Sequence, residues 1–223
     1  LQALKPEYLA VRADPTGGHT AYLDFSDLSE LKSSDPASGI EKLSNPPQAA
    51  NKLSFSGWVG FFGYEFLAAH YGLNLSAPRN LTVPEGWFGR PSTLIRLGNQ
   101  STTVESCVPG REEEIFRLLE SSSDPLLPVF RSTNQQCNLS FQEYKNLFHQ
   151  AREAILDGET YQIKISQRFE ANAQIDPLLA YAKLSQANPA PEAFLLKTPE
   201  FSIVSCSPEV VIQKTGKEIV TRP

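Results

Sequence analysis

Methionine is absent from this 223-residue chain, and cysteine is nearly so. The three cysteines, Cys107, Cys137 and Cys206, have no C-x-x-C spacing and no neighbouring histidine pair, so neither a disulfide scaffold nor a zinc site is expected. Histidine is as scarce: His19, His70 and His149 lie in unrelated contexts without metal-ligand spacing. Long apolar runs are also missing. The densest stretch, Trp58 to Ala69, is broken by Gly60, Gly63 and Glu65, far short of the roughly 18 consecutive apolar residues of a membrane span. No basic segment leads into an apolar block at the N-terminus, which argues against a signal peptide and, with so few cysteines, for a reducing cytoplasmic setting. There is no basic excess either. Twenty Lys and Arg face 25 Asp and Glu, the net charge is −5 and the cations are scattered, so nucleic acid is not expected as a partner, and neither is a membrane.

What remains is an ordinary globular composition, 40% hydrophobic and 20% charged, enough to bury a core. The missing initiator and a chain that stops at Pro223, straight after the strand-like Ile219-Val220-Thr221, predict a segment cut at both ends.

Alternation at Tyr8–Val11 and Ala21–Phe25 predicts two strands joined by the Asp14–Gly18 loop, and residues 32–51 read as a connector with a short helix around Ile40. Thr93–Leu97 and Ser101–Val108 flank Gly98-Asn99, a turn pair that tolerates positive φ, and so predict a hairpin. Ile115, Leu118 and Leu119 place one apolar face on a helix over 111–120. Residues 121–138 are polar and proline-bearing and read as a linker or a surface crossing. Ser140 and Glu143 form a capping box, and Tyr144, Leu147, Phe148, Ala151 and Ile155 follow at helical spacing up to Gly158. Period two then predicts a strand over 161–169, with Tyr161, Ile163, Ile165 and Phe169 on one face and Gln162, Lys164, Ser166 and Arg168 on the other. Asp176-Pro177 opens another helix that ends before Asn188-Pro189, and four short strands follow at 193–197, 201–206, 210–213 and 218–221. Crossover helices are missing between most strands. The expected fold is therefore α+β, with largely antiparallel sheets packed as a sandwich and helices outside.

The glycines at 57, 60 and 63 are spaced unlike phosphate-binding loops, and close packing of one element on another accounts for them better. The polar face of 161–169 is the strongest site candidate, because polar residues in register on a covered sheet must meet water, a ligand or each other. A sheet with one solvated face is the competing explanation.

Several ordered blocks resemble a known family. Phe55-Ser56-Gly57-Trp58-Val59-Gly60-Phe61-Phe62-Gly63-Tyr64-Glu65 is similar to the G-x-x-G-x-x-G-Y-[DE] element of chorismate-utilising enzymes. The helix–strand block Ala151–Phe169, the segment Asn188-Pro189-Ala190-Pro191-Glu192-Ala193-Phe194, Cys206-Ser207-Pro208-Glu209 and the terminal Thr221-Arg222-Pro223 resemble the same family, component I of aminodeoxychorismate or anthranilate synthase. The resemblance implies an incomplete chorismate-utilising fold, with 1–135 as the N-terminal region and 136–223 as the first part of the catalytic domain. It implies amination of chorismate with ammonia from a glutamine amidotransferase partner, and dependence on Mg²⁺ whose ligands lie outside this chain. Gln162 stands where water-using relatives carry a lysine base, and a neutral amide suits the ammonia-using branch. Lys164, Ser166 and Arg222 are the implied substrate-binding residues, Arg222 opening a motif Arg-Pro-Ile-(Lys or Ala)-Gly-Thr. Asn188, Pro189, Pro191, Glu192, Ala193 and Phe194 match the segment that lines a tryptophan pocket. The wording around 161–162 and 221–223 favours the aminodeoxychorismate branch of folate biosynthesis. The alternatives are anthranilate synthase, of tryptophan biosynthesis, and a non-catalytic tryptophan-binding or partner-docking module.

Overall fold

Leu9, Ala10 and Val11 are all buried, so the strand that carries them has apolar neighbours on both faces. In the computed structural model, which describes residues 1–14, 17–44, 53–75, 81–121 and 131–221, this strand, β1 (Leu9–Ala13), sits inside a seven-stranded sheet. It pairs on one side with β2 (His19–Glu30) and on the other with β8 (Glu192–Lys197). The sheet continues from β2 to β4 (Gly86–Leu97), and from β8 to β9 (Ser202–Ser207). One edge of β4 serves two short strands, β3 (Val59–Phe62) near its start and β5 (Thr102–Ser106) near its end. Every pairing is antiparallel, which gives the α+β organisation expected from the sequence.

Both faces of this sheet are covered. On one, Leu9, Val11, Leu23, Ile95 and Leu195 meet Ile115 of α3 (Arg111–Glu120) and Tyr181 of α5 (Pro177–Ala187). On the other, Ala10, Tyr22, Leu94 and Leu196 lie under Trp87, Phe55 and Phe61. A third cluster joins Leu31 and Phe88 to Phe66 of α2 (Tyr64–His70), with Ile40 and Leu43 of α1 (Pro36–Ser44) packed against it. The glycines of the aromatic block permit this closeness. A Cβ on Gly60 would lie 1.9 Å from the Trp87 carbonyl oxygen, and one on Gly63 2.3 Å from that of Glu85. Close strand approach, rather than an anion cradle, is what these positions provide.

A polar cluster pins α3 to the sheet. Asp24, held at φ +52°, accepts from the Thr93 hydroxyl at 2.6 Å and from Arg111 Nε at 3.0 Å and Nη2 at 3.2 Å. Arg111 also binds Glu114 at 2.7 Å.

Packing divides the chain into two units, Leu1–Pro125 with Pro177–Pro223, and Leu126–Asp176. The second contains α4 (Phe141–Leu156) and a two-stranded ribbon of β6 (Ser132–Cys137) and β7 (Phe169–Ala173). Ser140 caps α4 in a capping box with Glu143, whose carboxyl is held below its ordinary value by the Ser140 hydroxyl and backbone N–H. None of the described residues 131–176 is buried. The remaining pair is β10 (Gln213–Thr215) with β11 (Glu218–Val220). No helix among the described residues is long and apolar enough to cross a membrane.

Three expectations fail here. Residues 132–137, read as part of a linker or surface crossing, form β6, which pairs with β7 through polar partners such as Thr133↔Asn172 and Gln136↔Glu170. The strand expected over 161–169 is not formed: 161–168 is irregular, and pairing begins only at Phe169. The strand expected at 210–213 shifts to 213–215, because the two-residue Gly216-Lys217 turn, with Gly216 at φ +61°, sets where the short hairpin can begin.

Candidate functional site

Gln162, Lys164 and Ser166 follow one another along the irregular segment between α4 and β7, and all three are exposed. The alternation that predicted a covered sheet is present in the sequence, yet of its apolar members only Ile165 is half-buried, and Ile163, Tyr161 at 92% and Phe169 at 74% are exposed. Without a ladder partner, period two alone does not make one face an inside. The segment bonds to itself at its start and is tied to Cys137 and Asn138 at its end. The Thr160 hydroxyl donates to the Gln162 carbonyl at 3.1 Å, and Arg168 N–H donates to Asn138 Oδ1 at 2.7 Å while Asn138 N–H returns to the Arg168 carbonyl at 3.0 Å. Gln167 Nε2 donates to Cys137 Sγ at 2.9 Å. The chain therefore presents an amide, an ammonium and a hydroxyl within five residues on a tethered stretch. That set can bind carboxylates by charge and hydrogen bonding, and it contains no base suited to activating water.

The block at 188–194 is divided by the fold. Asn188, Pro189 and Pro191 are exposed in the turn after α5, where Asn188 N–H caps the helix on the Leu184 carbonyl at 2.8 Å. Ala193 is buried opposite Cys206, among the residues that meet α5. Phe194 packs on the other side, with the aromatic cluster, and Glu192 shares its strand face. Strand geometry thus keeps the Ala193 side chain from lining a common pocket with Glu192 and Phe194. Arg222 lies outside the described residues.

No group of three or more His, Cys, Asp or Glu able to hold a metal ion occurs among the described residues. The described residues of this chain do not fit a Mg²⁺ site.

Sequence reasoning missed a cavity of about 520 Å³ between the end of β2, the start of β4 and the β8–β9 turn. Its chemistry-bearing walls are Tyr8, Glu30, Trp87, Glu200 and Phe201. Burial, with the carboxylates of Glu7 and Glu200, pushes the Tyr8 phenol above its ordinary value. These positions are scattered from 8 to 201, so no local motif could have gathered them.

Known proteins share the family and the fold of this chain. The family model described as "chorismate binding enzyme" matches residues 10–223. The chain belongs to that family. Aminodeoxychorismate synthase component 1 of Salmonella typhimurium is 31% identical over 186 residues, 82% of this chain and 41% of that protein. Anthranilate synthase component 1 of Arthrobacter globiformis is 28% identical over 200 residues, 75% of this chain and 37% of that one. The crystal structure of anthranilate synthase component I from Streptococcus pneumoniae TIGR4 superposes with a TM-score of 0.63 at 15% identity, covering 95% of this chain and 50% of that one, and so shares its fold. The chain spans less than half the length of these two curated relatives.

Proposed function

We propose that this chain works within a cytoplasmic component I that aminates chorismate, in the aminodeoxychorismate branch, with ammonia from a glutamine amidotransferase partner. The family match over residues 10–223 carries this reading. The amide at Gln162 adds to it, since the reaction needs a group that holds ammonia or the enolpyruvyl ether without competing for a proton. In this reading a C–N bond forms at the ring carbon that loses its hydroxyl, the hydroxyl leaves as water, and the nucleophile sheds its extra proton. Lys164 and Arg222 supply cations for the two substrate carboxylates, and Ser166 donates a further hydrogen bond. A protein of net charge −5 needs such local cations, because its overall field repels a dianion.

Residues 136–223 are taken as the beginning of the catalytic domain and 1–135 as the region that precedes it. Asn188–Phe194 is taken as part of a tryptophan pocket, with Glu192 and Phe194 turned toward it. Amination at C2, giving anthranilate, is the second reading, favoured by the 28% identity to an anthranilate synthase component 1.

Turnover of chorismate with ammonia by the parent enzyme tests the assignment. Gln162→Ala is expected to lower turnover about tenfold, the scale of one lost hydrogen bond and less than the roughly 10²–10⁴ of positioned acid–base groups, because a neutral amide transfers no proton. Its unfolding midpoint should not change. Unaltered turnover removes Gln162 from the site, and release of anthranilate moves the chain to the second branch. Calorimetric titration of this chain with chorismate and with tryptophan separates both from a docking module, which would take up tryptophan alone.

A further inference from the structure

The cavity at the β8–β9 turn shares no residue with Gln162–Ser166 or with 188–194, and its walls are aromatic and acidic at once. Tyr8 and Trp87 lie with ring centroids 5.8 Å apart and planes 12° from parallel, and Phe25 backs Trp87 at 5.7 Å. Phe201 is fixed edge-on by Phe61 at 6.0 Å. Glu200 is held at both its backbone and its carboxylate by Thr198, only 4% exposed: the Glu200 N–H donates to Thr198 Oγ1 at 3.3 Å, and the Thr198 hydroxyl donates to Glu200 Oε2 at 3.2 Å. Glu30 closes the same space from the end of β2, and no Lys or Arg is among the described residues that line it.

Aromatic faces beside carboxylates attract cations that carry an apolar body, through the ring quadrupole and the nearby negative charge together. Anions meet the opposite field, and a dicarboxylate such as chorismate is disfavoured there. We propose that this cavity binds an organic ammonium ion with an aromatic or aliphatic body and no carboxylate. A free amino acid fits less well than the corresponding amine, because its carboxylate finds no cation in the wall. The site is independent of the chorismate reading and stands or falls separately.

Fluorescence and calorimetric titration of the chain with 2-phenylethylammonium chloride, L-phenylalanine and 2-phenylethanol tests it. The chain has two tryptophans, so in a Trp58→Phe background the optical signal comes from Trp87. The amine is expected to bind saturably and at least about fivefold more tightly than either the alcohol or the amino acid, the scale of one cation–π contact beside an exposed charge. Glu200→Gln should weaken the amine by about fivefold and leave the alcohol and the urea midpoint unchanged. Equal binding of amine and alcohol overturns the proposal. So does an amine affinity that survives Glu30→Gln combined with Glu200→Gln, or the absence of saturation.

Discussion

Gly60→Ala isolates the contact on which the β3–β4 pairing depends. The new Cβ would sit 1.9 Å from the Trp87 carbonyl oxygen, 2.7 Å from Phe88 Cα and 2.8 Å from Phe88 Cδ1. Two of these are backbone atoms near the start of β4, where it pairs with β3, and they cannot swing aside as a side chain can. To reach an ordinary separation of 3.4 Å the strands must part by about 1.5 Å, more than a hydrogen-bonded ladder tolerates. The four register pairs from Val59↔Gly89 to Phe62↔Gly86 are then lost or shifted. At about 1 kcal/mol net for each ladder hydrogen bond, and two to four bonds broken, the cost is roughly 2–4 kcal/mol. For a chain of this size that lowers Tm by about 4–16 °C. Gly57→Ala is the internal control, because its Cβ meets only the movable Phe55 ring, at 3.1 Å, and should cost less than about 1 kcal/mol. Urea titration followed by tryptophan fluorescence measures both. If the two substitutions cost the same, or if Gly60→Ala is neutral, close strand approach is not why glycine stands there.

Two further outcomes follow from the polar clusters. Asp24→Asn keeps a residue tolerant of positive φ but discharges the acceptor for Thr93 and Arg111, and should cost about 1.5–3 kcal/mol in urea unfolding, with α3 loosened in hydrogen exchange. Burial pushes the Glu105 carboxyl up, but the Ser54 N–H, the Ser54 hydroxyl and Arg96 outweigh it, so the folded value lies below the ordinary one. A depressed carboxylate contributes stability at pH values above its unfolded pKa and loses it as pH falls through the folded value. Urea midpoints should therefore decline below about pH 4.5, and Glu105→Gln should flatten that decline.

The sequence was most readable where local chemistry closes an element by itself. Ser140 with Glu143 and Asp176-Pro177 announce α4 and α5, and the apolar face of 111–120 announces α3, because caps and 3.6-residue spacing need no distant partner. Gly98-Asn99 also marks the β4–β5 hairpin, but not by positive φ, which neither residue takes: the turn closes through Gly98 N–H on the Ser101 carbonyl at 2.9 Å. Legibility ends where pairing is distant. Ser132–Cys137 carries no apolar alternation, and it is a strand only because Phe169–Ala173 offers it a ladder more than thirty residues later. Conversely, Tyr161–Phe169 alternates cleanly and still forms no strand before Phe169, since its described backbone bonds go to Thr160 and Asn138 and no described strand offers it a ladder. The candidate site divides in the same way. Gln162, Lys164 and Ser166 are adjacent in sequence and stay adjacent in space, whereas Tyr8, Glu30, Trp87 and Glu200 become neighbours only through the sheet.

The place of β1 has a consequence for how the molecule is made. Its first partner, β2, emerges a few residues behind it, but its second, β8, comes some 180 residues later. At a synthesis rate of about 5–20 residues per second, the apolar edge Leu9–Arg12 stays open for roughly ten to forty seconds on the ribosome. During that time it is a template for any other extended strand. Slow folding and a need for chaperone protection during translation are the expected result, and a circular permutant that places residues 192–207 ahead of Leu9 should refold faster and aggregate less.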